Sequence, residues 1–363
     1  MSTYAPIAAR PAPARRGGMR AWLRAHLFAD VPTTLATLAI AAGLVWALPP
    51  LLDWAIWRAH FAAQVAPCSA EGAGACWGVV AAKYRFILLG RYPFDEQWRP
   101  LLATALLLAL LVASCLRRWW RRPLALAWVG GLALYFALMR GGVAGLTRVE
   151  TELWGGLPLT LLLSTLAIGL AFPLALLVAL GRRSQLPAVR ALCTVYIEGV
   201  RGVPLVSVLF TASFLFPLFL PAGSQIDVLL RVVAGMTLFS AAYMAEVIRG
   251  GLQAVPRGQV EAAQALGLSW WQTQRRVVLP QALAAVLPGL MNNFIAIFKD
   301  TSLVTIVSLY ELTGALSLAL NSDADWRPYK LEAYLFIAAI YFVFCHALSR
   351  YSGWVEGQLA RGR

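Results

Sequence analysis

The chain has 363 residues, of which 60% are hydrophobic and only 13% charged. Soluble globular chains carry about 25% charged residues, so this composition excludes an ordinary water-soluble domain and indicates lipid as the main solvent. The net charge of +14 would suggest nucleic acid in a soluble protein. Here the basic residues lie in short runs between apolar stretches, a pattern that sets membrane topology. No nucleic-acid-binding motif accompanies them, so no nucleic-acid partner is expected.

Residues 1–32 are mostly polar. The stretch ARPAPARRGG (Ala9–Gly18) is Pro/Arg-rich, and the N-terminus over 1–32 is expected to be disordered. The first apolar run begins near Thr33 and lacks a small-residue cleavage site, so it reads as a retained membrane helix rather than a signal peptide. A span needs about 20 apolar residues. Eight segments meet or approach that length: Thr33–Leu52, Pro100–Leu116, Pro123–Met139, Leu157–Leu180, Val203–Leu220, Val228–Val247, Leu283–Leu312 and Leu331–Leu348. The third is short and carries Gly130-Gly131. The seventh is too long for one straight helix. The expected fold is all-α, a polytopic transmembrane bundle of about eight spans.

Charge alternation orients it. With the N-terminus inside, twenty of the 31 Lys and Arg residues fall on the inner side and nine on the outer, with Arg231 and Lys299 inside spans. The excess puts both termini in the cytoplasm. An outside loop covers about 53–99. Within it lie Cys68 and Cys76, in PCSAEGAGACW; an oxidising compartment permits a disulfide there, and two free thiols are the alternative. Cys115, Cys193 and Cys345 lie in or beside apolar runs and read as packing residues. His26, His60 and His346 are isolated, and no Cys or His spacing suggests a metal.

The inside loop, about 248–280, is the most informative segment. In VPRGQVEAAQALGLSWWQTQRRVVLP (Val255–Pro280), Pro256 suits a helix start. Val260, Ala263, Leu266, Gly267 and Trp270 recur at helical spacing. Glu261 lies in the first turns, where the helix dipole favours a carboxylate. Such an amphipathic helix either lies on the lipid surface or docks into a groove on a partner. The order Glu261-Ala262-Ala263, three residues, Gly267, nine residues, Val277, one residue, Leu279-Pro280 resembles the EAA signature of bacterial ABC-importer permeases, with Val277 where isoleucine is common. That resemblance implies a coupling helix seated in a cleft of a separate ATPase, with Glu261, Ala262, Ala263 and Gly267 at the contact.

The resemblance extends further. WGGLPLTLLLST (Trp154–Thr165), YIEGVRGVPLV (Tyr196–Val206), AAYMAEVIRGGLQAVPRGQ (Ala241–Gln259) and LPGLMNNFIAIFKDTSL (Leu287–Leu303) resemble polar amino-acid permeases of the histidine/glutamine type. KYRFILLGRYPFDEQWRP (Lys83–Pro100) resembles the M-type permease of general L-amino-acid transporters. The implied organisation is a cytoplasmic N-terminus over 1–32, three additional spans over 33–150, and a five-span type I ABC-importer core over 151–363. The implied partners are an ATPase dimer, a sister permease, a periplasmic amino-acid-binding protein and the lipid of the bacterial inner membrane. The implied cargo is a polar L-amino acid. ATP and Mg would sit on the ATPase, with no cofactor in this chain.

Charged residues inside spans are functional candidates by default. Lys299, Asp300, Thr301 and Ser302 interrupt the seventh apolar segment, about 27 Å from Gln281 along a straight helix. They read either as a break lining the translocation path, with Asn293 preferred over Asn292 as a further lining residue, or as an internal Lys–Asp pair. Glu198 and Arg201, and likewise Glu246 and Arg249, are three apart and can pair on one helix face. They read as structural pairs or as a cytoplasmic gate, with Gly202 and Pro204 marking a kink. An ion-driven secondary transporter would share the spans but would not need the EAA spacing. A membrane enzyme is not expected, since no HExxH, GxSxG or GxxxxGK[ST] motif occurs.

Overall fold

The computed structural model describes residues 18–120, 122–143, 145–221 and 226–361. The disorder expected for residues 1–17 lies outside the described residues. The described residues pack as two units, divided at Gly78.

In the first unit, α1 (Met19–Leu27) makes part of the expected disordered terminus helical. The following α2 (Val31–Leu52) starts at Asp30, whose carboxylate accepts from the Thr33 N–H at 2.8 Å. It runs on through a π-helical turn to Trp57, giving a 27-residue apolar span. Beyond it, Cys68 and Cys76 form a disulfide with their Cα atoms 5.5 Å apart. Trp77 Nε1 donates to the Ala55 carbonyl at 2.9 Å, which folds this loop back on the end of the span.

The second unit comprises α3 (Gly78–Leu89), α4 (Trp98–Cys115), α5 (Arg122–Arg140), α6 (Gly156–Gly181), α7 (Pro187–Arg201), α8 (Leu205–Phe210), α9 (Val228–Ala254), α10 (Arg257–Ala265), α11 (Trp270–Thr273), α12 (Leu279–Asp300), β1 (Tyr310–Glu311), α13 (Leu312–Asn321) and α14 (Lys330–Arg361). Among the described residues of the whole chain, seven helical stretches are long and apolar enough to cross a membrane. The number is eight if α7 and the segment Leu205–Phe219 form one bent span. The segment expected at Val203–Leu220 is thus the second limb of a bent pair, and the kink expected at Gly202 and Pro204 is present. The axis turns by 106° between those two pieces. Pro204 forces the residue before it out of helical geometry, and Gly202 resists little.

Close packing of α6 against α9 forms the core. Ala167, Ala171, Ala175 and Ala179 recur every fourth residue along α6 and are fully buried. They meet α9, where Ala241, Ala245 and Ile248 are also fully buried. Apolar burial gives helices in lipid little reason to associate, so small residues that permit close contact matter most. The additional helix α5 joins this core, since Tyr135 Oη donates to the Pro158 carbonyl at 2.9 Å. The packing division thus falls at residue 78, and α4 and α5 belong to the same unit as the core.

The seventh apolar segment does break. Helix α12 stops at Asp300, residues 301–307 tighten into 3₁₀ geometry, and Ser308 takes a left-handed φ of 66°. Thr301 Oγ1 donates to the Phe298 carbonyl at 2.7 Å, offering the backbone a local alternative to the α-helical bond. Tyr310 and Glu311 then pair in parallel with Gly155 and Gly156.

Cysteine titration tests the disulfide. Denatured without reductant, the protein should take up maleimide at three cysteines, Cys115, Cys193 and Cys345. After reduction the mass should rise by two further adducts. Five adducts before reduction would mean that Cys68 and Cys76 are not bonded.

Candidate functional site

At one end of the bundle, residues 255–278 form a hooked loop. Helix α10 ends in a Schellman turn: the Gly267 N–H bonds the Gln264 carbonyl at 2.9 Å, and the Leu268 N–H bonds the Ala263 carbonyl at 3.1 Å. The turn needs a positive φ at its pivot, and Gly267 sits at 74°. Ser269 immediately caps α11 through a capping box with Gln272. Two successive terminators thus make the hook rigid. Glu261, Ala262 and Gly267 are exposed, whereas Ala263 is turned inward with only 4% exposure. The outer surface is completed by Leu266, which is 81% exposed. The expected apolar stripe is split by this geometry. Val260 and Ala263 face the chain's own packing, and Leu266 and Trp270 face out.

Just inside that end lies an ion-pair network. The Glu246 carboxylate takes two bonds from Arg249, at 2.9 and 2.5 Å, and a third from Arg182 Nη1 at 3.0 Å. Arg182 Nη2 reaches Glu198 at 2.7 Å. The expected pairing of Glu246 with Arg249 is present, but the expected pairing of Glu198 with Arg201 is not. Glu198 is held by Arg182 from another helix, while the Arg201 guanidinium lies 5.6 Å over the Tyr243 ring. The network therefore ties together the ends of α6, α7 and α9. Arg182 was missed because it shares no helix with either carboxylate. Its place beside Arg183 at the end of an apolar run reads in sequence only as a topology signal.

Helix α12 carries the third feature. Gln281, Ala285, Pro288, Asn292, Ala296 and Lys299 recur every three or four residues, and all are exposed. Ala282, Leu290, Met291, Ile297 and Phe298 face the core. A helix face meeting lipid would be expected to carry large apolar residues, whereas this one carries small and polar groups. The two asparagines differ in placement. Asn293 is half-buried and its amide donates to the Gly289 carbonyl at 2.9 Å, while Asn292 shares the exposed stripe with Lys299. Among the described residues, no carboxylate lies within ion-pair distance of Lys299, so the expected internal Lys299–Asp300 pair is absent. Asp300 and Ser302 are half-buried at the break, and Thr301 is fully buried.

A residue hidden within the apolar pattern anchors the break. Glu311 is fully buried. Its Oε1 accepts the Thr313 and Gly314 N–H groups at 2.8 and 3.1 Å, capping α13. Its Oε2 accepts Tyr341 Oη at 2.8 Å and Thr160 Oγ1 at 3.2 Å. A carboxylate placed before a short apolar run was the available signal in the sequence.

A family model for the inner membrane component of binding-protein-dependent transport systems matches residues 171–361. The inner membrane amino-acid ABC transporter permease protein YhdY of Escherichia coli is 44% identical over 362 residues, covering 97% of each chain. The glutamate/glutamine/aspartate/asparagine transport system permease protein BztC of Rhodobacter capsulatus is 36% identical over 420 residues, covering 98% of this chain and 97% of that one. The probable glutamine ABC transporter permease protein GlnP of Bacillus subtilis is 32% identical over 197 residues, covering 54% of this chain and 88% of its own.

The network makes a ranked prediction. Glu246→Ala removes the acceptor of two guanidinium groups, whereas Glu198→Ala removes the acceptor of one. Thermal midpoints in detergent should fall for both, by several degrees for Glu246→Ala and by about half as much for Glu198→Ala. Equal midpoints would show that Arg182 does not bridge the two carboxylates.

Proposed function

Because the chain belongs to the family of inner membrane components of binding-protein-dependent transport systems, we propose that it is the permease half of an ATP-driven importer of polar L-amino acids. Its ATP is hydrolysed elsewhere. All three lysines, Lys83, Lys299 and Lys330, lack the glycine-rich context of a P-loop. The power stroke must therefore enter through a contact.

The observation that carries this reading is the hook at Glu261–Leu268. An 81% exposed leucine, held on a double-capped turn, is poorly solvated in water and suited to a partner's cleft. The neighbouring carboxylate and small alanine permit close approach. The inside assignment of this end rests on the charge alternation of the sequence. On this reading an ATPase dimer, holding ATP and Mg, closes and pulls α10. The motion passes through α11 into α12 without a flexible joint, because a π-helical turn, Gln274–Val278, joins them continuously.

The exposed stripe of α12 supports a path between this chain and a sister permease. Asn292 offers both donor and acceptor groups, and Lys299 offers a cation for a carboxylate. The break at Asp300–Ser302 lies at the far end of that stripe. The network of Arg182, Glu198, Glu246 and Arg249, with Arg201 beside it, lies towards the hook and is suited to serve as a gate. A periplasmic binding protein delivers the cargo. The names of the two relatives that cover nearly the whole chain support amino acids as that cargo.

The test is Leu266→Asp in the complex reconstituted in vesicles. Uptake should fall at least about tenfold while the permease still inserts and keeps its thermal midpoint, because the change is confined to an exposed docking knob. Gly267→Asp should do the same and also lower the midpoint, since it strains the φ-positive pivot. Unchanged uptake with Leu266→Asp would refute the coupling role of this loop.

A further inference from the structure

Helix α3 and the turn after it lie outside the matched core, at the end of the bundle opposite the hook. Val79, Ile87 and Leu89 of the helix and Tyr92 of the turn are buried. Its contacts reach across the core's end. Lys83 Nζ lies 2.6 Å from Asp323 Oδ2, beyond α13, and this bond holds the Asp323 carboxyl below its ordinary pKa. Arg91 Nη2 donates to the Glu152 carbonyl at 2.6 Å, just before α6, and the Arg91 guanidinium lies 5.0 Å over the Tyr310 ring of β1. The element therefore caps the end of the bundle.

The outer surface of this element is a concavity of about 360 Å³, lined by Lys83, Tyr84, Arg85, Arg91, Phe94 and Gln97 among others. No carboxylate lines it. Lys83 is already neutralised by Asp323, but among the described residues neither Arg85 nor Arg91 has a carboxylate partner. Arg85 is held ready: its guanidinium stacks 3.6 Å from the Phe94 ring centroid, and Nε donates to Gln97 Oε1 at 2.8 Å. Tyr84 and Phe94 remain 47% and 64% exposed. Arginine and aromatic side chains in a concave setting are the groups that dominate protein–protein interfaces. A pair of unneutralised guanidinium groups also runs against the charge bias of outside loops.

We propose that this surface is the docking site for a carboxylate-bearing face of the delivering protein, and that docking presses directly on the strand bridge above the break in α12. The proposal rests on the importer reading and adds the partner's contact and its route inward. The route is backbone on backbone. A Cβ built at Gly90 would lie 2.5 Å from the Gly155 Cα, so no side chain cushions the contact. Gly155 and Gly156 pair with Tyr310 and Glu311, and Glu311 holds α6, α13 and α14 through its four bonds. Displacement at Gly90–Arg91 therefore reaches the bridge without an intervening soft layer.

The experiment uses the full complex in nanodiscs, with ATP hydrolysis followed against rising concentrations of liganded binding protein. Arg85→Glu should raise the half-saturating concentration of binding protein at least about tenfold, leaving hydrolysis without binding protein unchanged. Arg85→Lys should stay within about threefold of wild type, which separates charge from misfolding. A photo-crosslinker at Tyr84 should capture the binding protein. An unchanged half-saturating concentration in the charge-reversed variant overturns the docking site. A defect present only in discs of anionic lipid, and absent in zwitterionic ones, overturns it in favour of headgroup binding. Failure of binding protein to stimulate even the wild-type complex would instead refute the importer reading itself.

Discussion

A carboxylate buried among neutral donors closes the least regular stretch of this chain. Between Asp300 and Leu312 the backbone leaves the α-helix, and in a membrane protein non-helical backbone survives only where protein or a water-lined cavity satisfies its polar groups. Glu311 supplies much of that satisfaction. It accepts two backbone N–H groups from the first turn of α13, one hydroxyl from α6 and one from α14. Burying a carboxylate is costly unless its lone pairs are met, and here four donors meet them. The parallel pairing of Tyr310–Glu311 with Gly155–Gly156 holds the bridge from the other side. With this knot in place, α12 can end early and leave Asp300 and Ser302 half-exposed at a fixed depth.

The same helix links the two ends of the proposed machine. At its start, the π-helical turn fuses it to α11 and so to the hook. At its end, the knot fixes the break. Between them it packs against α9 through one face and leaves the other bare. Because α12 runs without a break between Leu279 and Asp300, with Pro288 as the one interior point where its bond ladder lacks a donor, a displacement at the hook has a direct helical route to the break. The network joining Arg182, Glu198, Glu246 and Arg249 restrains the neighbouring helices at the hook end, so relative motion there must rearrange ion pairs. This gives the loop, the charged layer and the polar stripe one mechanical context.

Much of this was legible in the residues, for reasons of scale. Spans announce themselves because about 20 apolar residues are needed and few other structures tolerate them. The break at Lys299–Ser302 was visible as charge and hydroxyl groups within an overlong apolar run. The hook was visible as Pro256 and Gly267 bracketing a short amphipathic turn. What stayed hidden depended on rotation and on partners distant in sequence. One residue along a helix is a turn of about 100°, so only packing could show that Asn292 faces out and Asn293 inward. Spacing alone made Glu198 and Arg201 neighbours. The choice of Arg182 needed the meeting of α6 and α7. Glu311 was masked because the leucines and alanines after it continue the apolar pattern.

On the proposed reading, the bare face of α12 meets water and cargo rather than lipid. Single cysteines at Asn292 and Phe342, placed in a variant lacking Cys115, Cys193 and Cys345, measure this directly in membranes of the assembled complex. Phe342 is an exposed aromatic residue of α14 and serves as the apolar-surface reference. A water-soluble maleimide should label the cysteine at 292 much faster than the one at 342, and saturating amino acid with ATP and binding protein should slow labelling at 292 alone. Equal, slow labelling at both positions would contradict that reading, because the stripe would then face the hydrocarbon.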